Sequence, residues 1–200
     1  GGISKLADQK GFIVLYPQAI DKHWQDGRKK GEDNDRDVNF ISQLIDKLVS
    51  ENLVDPDRVY STGISNGGFF SQYLAKRIPG KIAAVASVAA SLPDCFIDYG
   101  KSEPVPVLYL LGTKDPLVPY EGGKIGGKIL RKDRGQVVSA EESVQYWLDN
   151  NGLKGISPQQ KVIDADSTNG ITISLLEYKN HDPFRDVSIY RIEGGGHTWP

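Results

Sequence analysis

The chain has 200 residues, 38% of them hydrophobic and 25% charged, the size and composition of one globular domain with a core of its own. Lys and Arg total 24 against 26 Asp and Glu, so the formal net charge of −2 provides no basic field to gather nucleic acid or anionic lipid. No apolar run approaches the roughly 18 to 20 residues needed to span a bilayer, and the opening Gly1-Gly2-Ile3-Ser4-Lys5 has no signal-peptide apolar core. The lone Cys95 can make neither an intrachain disulfide nor a metal framework, which leaves packing as its role.

Residues 12–16, Phe-Ile-Val-Leu-Tyr, form a continuous apolar run closed by Pro17, the pattern of a strand buried on both faces of a parallel sheet. After a polar stretch, Val38, Ile41, Leu44, Ile45, Leu48 and Val49 recur at helical spacing, with Asp35 or Asp37 placed to cap an amphipathic crossover helix. Residues 58–62 read as a second strand, followed by a sharp glycine-flanked turn and a helical segment over 69–77 that Pro79-Gly80 stops. Residues 83–90 and 105–111 are further strand candidates, the latter ending at Gly112-Thr113. Ser139 and Glu142 form a capping box that opens a helix through Val144, Trp147 and Leu148, closing at Asn150-Asn151-Gly152. The last two runs, 171–178 and 187–192, are joined by too few residues for a crossover helix and are expected to pair antiparallel. Strands alternating with helices predict a single α/β domain, 1–200, with a mostly parallel central sheet flanked by helices.

Gly63-Ile64-Ser65-Asn66-Gly67 fits the G-x-S-x-G nucleophile elbow, and it lies between a predicted strand and a predicted helix, where that turn exposes the serine hydroxyl above a sheet. The bland alternative is a glycine-rich turn whose serine caps the next helix. A serine needs a base and an orienting acid to be nucleophilic near neutral pH. Of three histidines, His23 precedes the elbow and His181 lies in a short turn between strands, whereas His197 follows Gly194-Gly195-Gly196 just past a strand. Asp115, just past the run that ends at Leu111, gives the order serine, acid, histidine of α/β-hydrolases, with Asp94 and Asp98 as rivals. The expected chemistry is acyl transfer through Ser65, His197 and Asp115, with the backbone N–H of Asn66 as one oxyanion donor. Trp24 and Trp199 are candidate aromatic walls for an acyl or sugar group.

Two other patterns are set aside. Gly122 and the next six residues imitate a phosphate loop, yet Ile129 stands where magnesium needs a hydroxyl. Asp33, Asp35 and Asp37 imitate a calcium loop, but Val38 and Leu44 replace the required glycine and glutamate. No cofactor or metal is expected. A noncatalytic domain binding carbohydrate or a partner in the same cleft is the alternative; a serine peptidase or acyltransferase would keep the triad. Nothing in the pattern sets an oligomeric state.

With these residues in view the chain resembles the polyhydroxybutyrate depolymerase and feruloyl esterase family of α/β-hydrolases, which includes acetylxylan esterases. The resemblance rests on Gly11-Phe12-Ile13-Val14-Leu15-Tyr16-Pro17, Trp24-Gln25-Asp26-Gly27-Arg28, Val54-Asp55-Pro56-Asp57-Arg58-Val59-Tyr60, the elbow with Gly68, Gly112-Thr113-Lys114-Asp115-Pro116-Leu117-Val118-Pro119-Tyr120 and Gly194-Gly195-Gly196-His197-Thr198-Trp199-Pro200. It implies the same triad, ester substrates linked to polymers or sugars, and an extracellular or periplasmic setting. It also implies a strand and His-Gly loop ahead of Gly1, supplying the second oxyanion donor, and a closing helix after Pro200. We therefore expect a segment truncated at both ends, with a gap between the strand at 12–16 and the next.

Overall fold

The apolar runs after residue 58 become the strands of one sheet. The computed structural model describes residues 2–28, 35–127, 133–164 and 170–199. In chain order they form α1 (Gly2–Lys10), α2 (Asp35–Ser50), β1 (Tyr60–Ile64), α3 (Asn66–Arg77), β2 (Ala84–Val88) and β3 (Val107–Gly112). There follow a two-residue pair, β4 (Gly123–Lys124) and β5 (Gln136–Val137), then α4 (Ala140–Asn150), β6 (Gln159–Asp164), β7 (Thr172–Tyr178) and β8 (Val187–Glu193).

The main sheet has the order β1-β2-β3-β8-β7-β6. Strands β1, β2, β3 and β8 run parallel, and β7 is antiparallel to both of its neighbours, as expected for the last two apolar runs. Alternation sets the buried face: Val107, Tyr109 and Leu111 of β3 and Val187 and Ile189 of β8 point into the core, as the two-residue period of a strand requires. Helix α3 crosses β1 and β2, and α4 lies against β8. Nearly all of α3 from Gly68 to Lys76 is buried, so it is a central helix rather than a surface one. Val38, Ile41 and Ile45 of α2 enter the same core, which closes around Trp147, Tyr109, Phe96 and Leu92. The Ser139–Glu142 capping box forms with both reciprocal bonds, and Asn151 caps the other end of α4 before Gly152, at φ 73°. Among the described residues no helix is long and apolar enough to cross a membrane.

Three expectations need correction. Residues 12–16 are not a strand: they join no ladder, and Phe12, Ile13, Leu15 and Tyr16 are 45 to 63% exposed. A strand exists only through a neighbour's hydrogen bonds. The outer edge of β1 has no such neighbour among the described residues. Second, β1 starts two residues later than expected, because Asp55 accepts from Asp57 N–H and closes a 3-10 turn over Pro56–Arg58. Third, Asp35 and Asp37 lie inside the first turn of α2 and are used elsewhere. Asp35 pairs with Arg77 at 2.6 Å, and buried Asp37 accepts the Gln25 N–H at 2.8 Å.

Candidate active site

The turn from β1 into α3 places Ser65 at φ 53° and ψ −117°, a region that non-glycine residues avoid and that costs about 1–3 kcal/mol. Surrounding structure has to impose it. Ser65 N–H donates to Val88 O at 2.9 Å, tying the elbow to the end of β2, and Ser65 O accepts the first helical bond from Phe69 N–H. A Cβ on Gly63 would come within 2.5 Å of the Gly67 backbone, and one on Gly68 within 2.9 Å of Ala90 Cβ and Ser87 Oγ. Gly67 itself faces open space, so close packing demands glycine at 63 and 68 rather than at both flanks of the motif. The Ser65 side chain makes no capping bond, unlike an ordinary N-cap serine, and Asn66 N–H sits in the first helical turn, where no intrahelical acceptor exists.

Asp115 and His197 are brought together: His197 Nδ1 lies 2.7 Å from Asp115 Oδ2. The other carboxylate oxygen accepts from Leu117 and Val118 N–H, at 2.8 and 2.9 Å, so both oxygens have fixed partners. The carboxylate is almost wholly enclosed and the imidazole retains 15% exposure. Their loops interlock through the backbone. Lys114 N–H donates to Gly195 O, Thr113 N–H to Ile192 O, and Gly194 N–H to Thr113 Oγ1, while Thr113 Oγ1 donates to Glu193 Oε2. A Cβ at Gly112 would lie 2.4 Å from Gly195 O, so that contact admits only glycine. Ser65, Asp115 and His197 follow the carboxyl ends of β1, β3 and β8, all parallel, and therefore share one edge of the sheet. Ser65 Oγ makes no hydrogen bond to another described residue.

The rival residues lie elsewhere. Asp94 and Asp98 belong to a 3-10 turn, Asp94–Tyr99, and are not the partner of His197. His181 precedes β8 and so lies toward the opposite sheet edge. Trp24 stacks on Phe70, with ring centroids 4.6 Å apart and planes 1° from parallel, while Trp199 is 47% exposed. Part of the phosphate-loop imitation and Asp33 fall outside the described residues.

The sequence reading assigned no role to several buried polar groups around α3. The Asn66 side chain binds the Trp24 backbone and Asp26, and Asp26 forms a buried ion pair with Arg28 at 2.6 Å. Deeper, Trp147 Nε1–H donates to Tyr109 Oη at 3.0 Å, Tyr109 O–H donates to Gln72 Oε1 at 2.6 Å, and Gln72 Nε2 donates to Ser87 Oγ and Ala90 O. Burial pushes the Tyr109 phenol well above its usual range, keeping it neutral as a donor. This chain fixes α3 against β2, β3 and α4. Asp26 and Arg28 stand inside a motif that carries the family resemblance; only tertiary contacts reveal their partners.

A mostly parallel sheet with helices packed on it, a strained turn from β1 into α3 and loops that follow the carboxyl ends of β3 and β8 make up an α/β-hydrolase-like fold. The acetyl xylan esterase from Aspergillus awamori shares this fold, with a TM-score of 0.63 over 99% of this chain and 77% of that one, at 16% identity. Residues 1–93 match the family described as esterase PHB depolymerase, and the chain is similar to that family as its motifs suggested. It is 30% identical over 206 residues to NocK of Nocardia uniformis subsp. tsuyamanensis, a protein named as an esterase, covering all of this chain and 60% of that one. It is 32% identical over 165 residues to feruloyl esterase B of Piromyces equi, covering 81% of this chain and 29% of that one. The chain thus spans 60% and 29% of the lengths of these two relatives.

Proposed function

We propose that this chain carries the catalytic centre of a serine carboxylic-ester hydrolase. The observation that carries the reading is the 2.7 Å His197–Asp115 contact at the sheet edge where the strained Ser65 turn emerges. A carboxylate can only accept, so His197 donates through Nδ1–H and presents Nε2 as the base. His197 takes the Ser65 proton as Ser65 Oγ bonds to the ester carbonyl carbon, and Asn66 N–H receives the oxyanion. The carbonyl re-forms, the carbon–alkoxy bond breaks and His197 returns the proton to the departing alcohol. Water then repeats the sequence on the acyl-enzyme, releasing the acid and restoring Ser65.

The names of the relatives support acyl esters of feruloyl, acetyl or hydroxyalkanoate type, borne by a polymer or sugar. Trp199, exposed two residues beyond the base, is the proposed aromatic platform for such a group, and Trp24, fixed on Phe70, a rigid wall. The test is intact-mass analysis after a fluorophosphonate probe, with Ser65→Ala as control, alongside a panel of feruloyl, acetyl and hydroxyalkanoate esters. One stoichiometric adduct that Ser65→Ala abolishes, with ester turnover, is the expected result. Binding of an ester or sugar without any adduct overturns the catalytic reading.

A further inference from the structure

Asn66 was expected to act through its backbone, yet its side chain makes three hydrogen bonds to the loop at 24–28. Oδ1 accepts Trp24 N–H at 2.8 Å, while Nδ2 donates to Trp24 O at 3.1 Å and to Asp26 Oδ2 at 2.6 Å. Both amide hydrogens are used, and the two bonds to Trp24 hold that residue as a neighbouring strand would. One turn further along α3, Phe70 holds the Trp24 ring face to face. Asp26 is only 5% exposed and also accepts from Arg28 Nε and Nη2, at 2.9 and 2.6 Å. The Arg28 guanidinium in turn lies 4.2 Å above the Phe69 ring and donates to Arg134 O at 3.0 Å. The loop at 24–28 therefore grips residues 66, 69 and 70, the first helical turn after the nucleophile.

That turn has strain to resist. Ser65 is held at positive φ, and relaxing it would rotate the peptide that carries Asn66 N–H. An oxyanion donor is effective only when aimed where charge develops, and a fixed side chain on the same residue opposes that rotation. A buried carboxylate beside such a site would by itself oppose a new negative charge, and the Arg28 pairing offsets it.

We propose that the Asn66 side chain, gripped by the Trp24 backbone and by Asp26, is a positioning bracket that aims the Asn66 N–H at the oxyanion. This rests on the esterase reading above. Asn66 side-chain atoms and Asp26 are positioning groups, since neither is placed on the substrate. Every side chain at 66 except proline leaves the backbone N–H in place, so substitution separates the bracket from the donor.

The experiment compares Asn66→Ala, Asp26→Asn and the double variant in the full chain, reading kcat and KM on a soluble short-chain ester, the rate of fluorophosphonate labelling and Tm. Removing an oxyanion donor outright costs about 10²- to 10³-fold. Misaiming it in Asn66→Ala should lower kcat and the labelling rate about tenfold with KM little changed, and the double variant should be no worse, as for groups acting in one network. Val144→Ala in α4 supplies a variant of lowered Tm and unaltered kcat. Asn66→Ala with lowered Tm but wild-type kcat overturns the bracket. Should Asn66→Ala fail to fold, the isosteric Asn66→Asp decides: it removes both Nδ2 donors and sets a carboxylate against Asp26, and an unchanged kcat there overturns the bracket equally. A wild-type chain that neither labels nor hydrolyses brings down the esterase reading and the bracket with it, whereas a labelled wild type with indifferent variants removes the bracket alone.

Discussion

The two halves of the proposed site, that of the proposed nucleophile and that of the acid–histidine pair, are held by different means. The acid–histidine half is held chiefly by backbone, Gly112 against Gly195 and loop N–H groups donating to loop carbonyls, with the Thr113 hydroxyl and the Asp115 carboxylate as added acceptors. The nucleophile half, beyond the Ser65 N–H bond to Val88 O, rests on side chains: half-buried Asn66 and Arg28 and buried Asp26 and Gln72 hold the elbow and its helix. The difference lies in tolerance. A backbone interlock is indifferent to most side chains but intolerant of any Cβ at its crossing point, whereas a buried polar network fails when a single donor or acceptor is removed.

The largest expected effect belongs to Asp115, the proposed acid. In Asp115→Asn the amide oxygen can still accept from Leu117 and Val118, so the loop should keep its shape, but the NH₂ group faces His197 Nδ1 and selects the wrong tautomer. We expect kcat to fall about 10⁴-fold, as for triad acids generally, with Tm nearly unchanged. A large loss of Tm would show that this half depends on side chains after all. The next effect is on stability. Gly112→Ala should cost about 1–3 kcal/mol by forcing its Cβ into Gly195 O, and should lower kcat by parting the two loops. Gly67→Ala, with nothing within 4 Å and a helical position, should leave stability unchanged or raise it by the helix preference of about 0.5–1 kcal/mol. Thermal unfolding of the pair reads the contrast directly, and equal losses would refute the distinction between the two glycines.

Legibility in the sequence follows the same division. The positions of Ser65, Asp115 and His197 past three strand ends, and the pairing of the last two, could be anticipated because each follows a strand whose apolar pattern is local, and glycines mark the loops that must come close. The capping box of α4 is local too, and was read to the residue. Pairing is not local. Residues 12–16 have the composition of a buried strand and no ladder, whereas β6, Gln-Gln-Lys-Val-Ile-Asp, has little strand signal and pairs along β7 at the sheet edge. The Asn66 bracket was hidden for the same reason. Its partners lie 40 and 42 residues away, and an asparagine inside the elbow motif gives no sign of which backbone its amide will hold.

The smallest effect concerns what supports the loop at 24–28. A Cβ on Gly27, at φ 79°, would lie 2.4 Å from the Tyr73 ring, so that ring is the floor on which the loop rests. Tyr73 is 2% exposed and packs against Phe96 and Tyr99; burial pushes its phenol up to about 12, with nearby Arg77 opposing the shift and Tyr99 and Asp35 adding to it. The sign of the linkage follows. The folded state holds this proton more tightly than the unfolded chain, whose tyrosines titrate near 10, so the stabilisation is fully present below pH 10 and is lost as pH rises toward 12. Tyr146 is raised to about 12 by burial as well, and Tyr73→Phe should therefore blunt only part of the alkaline fall in Tm. The readout is the Tm difference between wild type and Tyr73→Phe from pH 8 to 12. It should be flat to pH 10 and then move in favour of the variant, and a difference that stays constant throughout would mean that the Tyr73 phenol is not held neutral by the fold and that the nucleophile half has no alkaline weakness of its own.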